Sequence, residues 1–263
     1  MGFRASVADL GCVIAEKNLD RPETLVLEWS RALVSAQPSL EGGGIGDRLH
    51  RVCLAAVAGL GMSGAVVSLR SNSGSEAVAA ASDAASTAVA ELELALGEGP
   101  SGDAFSRGRP VLVGDLNDPH QASWVGYTSA ALERGIRSVF AFPLHQGAAR
   151  FGVLTMFGDS PQRLDATRTA RCLALTELTT EMLLVSSDTR TDGRLDPDLE
   201  SVLDFRSEIY QAQGMAMVTL GTDLPDALAR MRAHAFHTER TLLEVSVDIL
   251  TRRLSLTDER TQP

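Results

Sequence analysis

Apolar residues along this chain fall either at helical spacing or in short runs bounded by turn residues, and the succession of the two predicts its elements. Leu25, Leu27, Trp29, Leu33 and Val34 predict a helix that stops before Gln37-Pro38, because a proline pushes the preceding residue out of the helical region. Leu49, Val52, Cys53, Ala56, Val57 and Leu60 follow helical spacing over 47–60, and Gly-Met-Ser-Gly at 61–64 ends that run. Ala65–Leu69 and Ala77–Ala81 read as strands about a turn at Asn72-Ser-Gly74. Ala84–Leu96 has helical propensity and ends at Gly97. A strand over Pro110–Asp115 and a helix over Ser123–Arg134 follow, the helix stopped by Gly135. Strands at Ser138–Leu144 and Phe151–Phe157 come next, then a long helix from an Asp165 cap to about Ser187. Helix, two strands, a crossover, three strands and a closing helix predict an α+β domain, one antiparallel sheet with flanking helices.

The period then becomes helical throughout. Asp188–Pro197 is polar and rich in turn residues, which marks a linker. Beyond it Leu199, Val202, Leu203, Phe205, Ile209, Ala212, Met215 and Ala216 form one stripe that ends at Gly221. Asp223 is placed as an N-cap with Pro225 and Asp226 in the first turn. Thr241-Leu-Leu-Glu244 has the form of a capping box opening a third helix. The expected organisation is an extension (1–24), the α+β domain (25–187), a linker (188–197), an all-α three-helix bundle (198–256) and a tail (257–263).

Charge narrows the partners. The chain has 24 basic against 34 acidic residues in 263, a net charge of −10. A general nucleic-acid coat is thereby disfavoured, since its affinity comes from neutralising phosphates. Locally the sign reverses: residues 230–253 carry Arg230, Arg232, Arg240, Arg252 and Arg253 against Glu239, Glu244 and Asp248. No run approaches the roughly 18 apolar residues of a membrane helix, so no membrane role is expected. Cys12, Cys53 and Cys172 are widely separated, which fits a reducing cytoplasm better than a disulfide framework or a zinc site.

Candidate chemistry is sparse. Glu41–Gly46 misses the G-x-G-x-x-G spacing and has no strand before it. Ser63 lacks the second glycine of a nucleophile elbow. His234 and His237 sit three apart on one helix but have no third metal ligand in the pattern, and His120 and His145 lie in loop or strand-end contexts rather than a haem motif. No catalytic residue and no metal site is expected, and the chain reads as a non-enzyme.

Two stretches resemble known families. Leu96-Gly-Glu-Gly-Pro-Ser-Gly-Asp-Ala-Phe105, Gly108-Arg-Pro-Val-Leu-Val-Gly-Asp-Leu116, Gly135–Leu144 and Phe151-Gly-Val-Leu-Thr155 resemble, in order, the middle of a GAF domain. That resemblance implies a six-stranded antiparallel sheet and a small-molecule pocket, or a role in dimerisation. It leaves the cofactor unknown; Glu98, Trp124, Tyr127 and His145 are the expected pocket residues. The C-terminal residues, with Arg206, Ile209-Tyr-Gln-Ala-Gln-Gly-Met215, Met231-Arg232 and Arg240-x-Leu242-x-x-Val245, resemble an ANTAR domain, the RNA-binding module of transcription antiterminators. The family typically carries lysine where this chain has Gln213, which removes one phosphate-neutralising charge. The resemblance implies a signal-responsive antitermination regulator that binds hairpin RNA in nascent transcripts through Arg206, Gln213, Arg232, His234, Arg240 and Arg253. It also implies a homodimer, with Leu199, Val202, Leu203 and Ile209 as its seam. The alternative left open by Gln213 and the acidity is a sensor whose C-terminal helices contact protein instead.

Overall fold

The computed structural model describes residues 22–40, 43–70, 76–118, 120, 123–188, 207–238 and 240–256. The 1–21 segment, most of the expected linker and the 257–263 tail lie outside the described residues, as do Arg206, Leu199, Val202 and Leu203.

Helix α1 (Pro22–Ser35) turns Trp29, Leu33 and Val34 inward. Helix α2 (Ile45–Leu60) stops at Gly61, whose φ of 63° is left-handed. Strands β1 (Gly64–Arg70) and β2 (Glu76–Ala81) pair antiparallel. Asp83 then caps α3 (Ala84–Leu96) by accepting from the Ser86 N–H at 2.7 Å. A short helix α4 (Pro100–Arg107) follows, opened by a proline at its first position. Strand β3 (Val111–Val113), helix α5 (Val125–Glu133), strands β4 (Ser138–Gln146) and β5 (Ala149–Gly158) and helix α6 (Ala166–Asp188) complete the unit.

All pairings are antiparallel and the strand order is β2-β1-β5-β4-β3. The sheet has five strands among the described residues, where the resemblance implied six. Both faces are covered except at the edge strand β3, where Leu112 is exposed, so the other strands send alternate side chains into two cores. Ala65, Val67, Leu69, Phe140, Phe142, Leu144, Leu154 and Met156 pack under α1, α2 and α6. Val66, Val113, Val139 and Phe157 pack with Val89, Trp124 and Tyr127 from α3 and the α5 region. Strand β3 is shorter than the Pro110–Asp115 expected: Pro110 has no N–H to donate, and the Gly114 carbonyl accepts from Gln162 N instead of a strand partner.

The C-terminal unit is a bundle of α7 (Ser207–Leu220), α8 (Leu224–His237) and α9 (Leu242–Leu250). Its caps are the expected ones: Asp223 accepts from Asp226 N at 2.9 Å, and Thr241 and Glu244 form a complete capping box. Ile209, Ala212, Ala216, Ala227, Met231, Ala235, Leu242, Val245 and Ile249 form its core. Leu94 of α3 joins that same cluster, so the bundle is completed by the first unit. Ile209, expected on a dimer seam, is buried here inside the bundle's own core.

Candidate functional site

The second core, between the sheet and α3–α5, contains polar groups that an ordinary packing core lacks. Glu93 lies on the inward stripe of α3 four residues after Val89, and is only 5% exposed. Its Oε2 accepts from Ser101 N at 2.8 Å, Ser101 Oγ at 2.6 Å and Gly102 N at 3.3 Å. The carboxyl thus sits on the N-terminus of α4, where unpaired N–H groups and the helix dipole favour an anion. Burial nevertheless dominates and pushes its pKa up to about 7; nearby Glu76 acts in the same direction, while the bonds from Ser101 and Gly102 oppose it.

Beside Glu93, the Ser68 hydroxyl and the fully buried Tyr127 hydroxyl have no hydrogen-bond partner among the described residues. Desolvation holds the Tyr127 phenol well above its usual pKa, and the Glu93 charge adds to that. The space left between Val66, Ser68, Glu93, Ser101, Thr155 and Phe157 is about 10 Å³. That is room on the scale of one water molecule. The core is therefore filled, polar and under-satisfied.

Two of the four expected pocket residues, Trp124 and Tyr127, lie in this core. Trp124 meets Tyr127 edge-on, with ring centroids 6.3 Å apart. Glu98 accepts from Gly126 N at 2.7 Å and Tyr127 N at 3.3 Å, so its carboxylate caps α5 from an exposed position rather than pointing into the core. His145 is exposed at the far end of β4, paired with Arg150, and is not brought to this group. Glu93, Ser68 and Ser101 were not anticipated from the sequence. The available signal was a lone acid at i+4 from Val89 on the apolar face of α3.

A second polar group joins the two units. The Arg232 Nε of α8 donates to the Leu94 carbonyl in the last turn of α3 at 2.8 Å. Burial lowers the Arg232 pKa, and Glu76 and Tyr210 counter this. The Tyr210 hydroxyl of α7 accepts from Glu76 N and donates back to Glu76 O at 3.4 Å. Glu76 also pairs with Arg70 at 2.6 Å, and the Arg70 guanidinium lies over the Phe105 ring, 5.6 Å from its centroid. These groups surround a cavity of about 130 Å³ lined by Arg70, Glu76, Glu93, Gly97, Tyr210 and Arg232.

The residues expected to touch RNA do not share one face. Gln213 is buried and donates its amide to the Leu224 carbonyl at 2.7 Å, which fastens α7 to the start of α8. Arg232 faces the first unit. Arg240 pairs with Asp248 at 2.7 Å, and the exposed Arg253 approaches the same carboxylate at 3.5 Å. His234 is half-buried and its carbonyl accepts from the Thr238 hydroxyl at 2.7 Å. Arg252, with φ 57°, is exposed beside Arg253.

Cys53 and Cys172 are buried free thiols, each pushed up to about 12 by desolvation. Among the described residues no group of three or more His, Cys, Asp or Glu is placed to hold a metal, and no helix is long and apolar enough to cross a membrane.

Residues 45–180 match the sequence model of the GAF domain. Among solved structures, the GAF domain of a phosphoenolpyruvate-protein phosphotransferase from Coxiella burnetii is 16% identical, with 64% of this chain and 95% of that one aligned at a TM-score of 0.49. The corresponding domain of the Acinetobacter enzyme is 12% identical over 65% and 98% of the two chains, TM-score 0.49. A free methionine-R-sulfoxide reductase from Neisseria meningitidis, solved with its substrate, is 18% identical over 72% and 98%, TM-score 0.48. No curated protein matches the chain.

Proposed function

Because this chain belongs to the GAF domain family, we propose that it is a signal-responsive regulator whose sensor unit governs the C-terminal helices, and that those helices bind hairpin RNA in nascent transcripts. In this reading a bound hairpin excludes a terminator and the polymerase reads through. The GAF unit senses a small molecule or pairs two copies of the chain, and the protein acts in the cytoplasm.

The observation that carries the RNA reading is the three-helix unit, with Asp223 and Thr241 capping its second and third helices where the capping signals in the sequence set their starts. Its exposed cationic end is Arg252-Arg253, and arginine suits splayed loop bases and phosphate alike. The amide of the buried Gln213 is held by the Leu224 carbonyl, so the expected interface shifts to the Arg252-Arg253 end of α9. A thiol-based catalytic role has little support, since such chemistry needs an accessible, low-pKa cysteine and both described thiols are the reverse.

A second reading has its own observation. Gln213, which stands where the resembled family carries lysine, is buried with its amide on the Leu224 carbonyl, and with the chain's net charge of −10 this suits a bundle that contacts protein. Fluorescence anisotropy of the full chain with a tandem two-hairpin RNA and a scrambled control separates the two. Preference for the paired hairpins supports the RNA reading; no binding to either at low salt overturns it in favour of a protein partner.

A further inference from the structure

We propose that the seam between α3 and the C-terminal helices is a closing latch: Arg232 and Tyr210 clasp the end of α3 and the start of β2, withdrawing the Arg232 guanidinium from any anionic partner until α3 moves. The inference rests on the reading that the C-terminal helices are the output of the sensor.

The clasp uses groups that the sensor leaves unsatisfied. The last carbonyls of a helix have no intrahelical donor, and a cation there is favoured by the helix dipole. Helix α3 stops at Gly97, so the Leu94 carbonyl is such an orphan, and Arg232 supplies the missing N–H. The approach is close enough to constrain the neighbouring residue. Gly97 has φ 73°, and a Cβ built there would lie 2.6 Å from Arg232 Nη1. On the other side of the seam, a single hydroxyl, that of Tyr210, serves both the N–H and the C=O of Glu76. Leu94 therefore holds the bundle twice, by its carbonyl to Arg232 and by its side chain in the bundle's apolar core.

The same helix couples the latch to the sensor core. Glu93 immediately precedes Leu94, and its carboxyl is fastened to the N-terminus of α4 inside the sensor. A ligand that enters that filled core, or displaces Glu93 from Ser101, has to move α3, and with it the Leu94 carbonyl that Arg232 grips. This supplies what any switch requires, an effector that interacts differently with the two states. The clasp is made of a few hydrogen bonds and one leucine, each worth a modest factor in the closing equilibrium, so it is weak enough to open.

Hydrogen exchange on the full chain tests this with Tyr210→Phe, which removes one hydroxyl and leaves Arg232 in place, and with Arg232→Gln as a second variant. The expected result is exchange about two- to ten-fold faster at Glu76 and across 90–97 and 228–235, with β4 and β5 unchanged. Unchanged exchange across the seam in both variants overturns the latch, as does acceleration spread equally through β4 and β5. The readout does not depend on RNA. If the seam opens but no hairpin RNA binds in any variant, the latch stands and only the RNA reading fails. If hairpin RNA binds wild type and Tyr210→Phe equally while the seam opens, the withholding role is overturned.

Discussion

Replacing Glu93 by glutamine should flatten the pH dependence of the sensor's stability. Burial raises this carboxyl from an ordinary 4.5 to about 7 in the folded chain. The folded protein therefore holds the proton more tightly than the unfolded chain does. The stabilising contribution is complete below the unfolded value and is lost as pH rises through about 7. At 1.36 kcal/mol per pH unit, the rise corresponds to roughly 3 kcal/mol of stability lost between about pH 4.5 and pH 8. Glu93→Gln keeps an oxygen for Ser101 and carries no charge at any pH, so its stability should not fall over that window. Both tryptophans of the chain, Trp29 and Trp124, are buried in the sensor unit, so urea unfolding followed by their fluorescence reports this domain directly. The difference between wild type and variant is the quantity to read, because it isolates this one side chain. A wild-type stability that stays flat or rises from pH 5 to 8, or a variant that keeps the wild-type slope, refutes the assignment of a buried, reluctantly ionised Glu93.

Two further outcomes follow from close packing and burial. Gly152 pairs with Leu69 across β1 and β5, and a Cβ there would overlap the Ser68 carbonyl oxygen and lie 2.9 Å from Leu69 Cα. Gly152→Ala should therefore cost more than about 2 kcal/mol and leave little soluble protein, against under 1 kcal/mol if the strands simply shift apart, as measured by urea midpoint. Cys53 and Cys172, with thiols near 12, should react with a thiol reagent at pH 8 only after denaturation; rapid labelling of either in the native protein would contradict their burial.

Local signals in the sequence carried far. Short apolar runs bounded by turn residues located β1, β4 and β5, and Asp223 and Thr241 marked helix starts that the structure keeps. Helix α4 was hidden because Gly99-Pro-Ser-Gly102 reads as a turn; a proline at the first helical position and the Glu93 carboxyl accepting from the first-turn N–H groups convert it into a helix start. The partners of the charged and polar side chains were illegible for a different reason. Nothing near Arg232 in the chain announces that it will bond a carbonyl at position 94, and Gln213 gives no local sign that its amide will serve Leu224. Such choices depend on which surfaces the fold brings together. The pocket residues divided along the same line: Trp124 and Tyr127 are apolar enough for burial to be foreseen, while His145 stands at a strand end whose direction only the register fixes.

The central claim, that the C-terminal helices are an RNA-binding output, is tested most directly by the salt dependence of binding to a tandem-hairpin RNA. The wild-type chain is compared with a variant carrying Arg252→Ala and Arg253→Ala, two exposed side chains. If both arginines neutralise phosphates, the slope of log affinity against log salt should be shallower in the variant by about 1.4 to 1.8, with weaker binding at every salt concentration. Equal slopes and equal affinities, or equal binding to a scrambled RNA, would contradict the account.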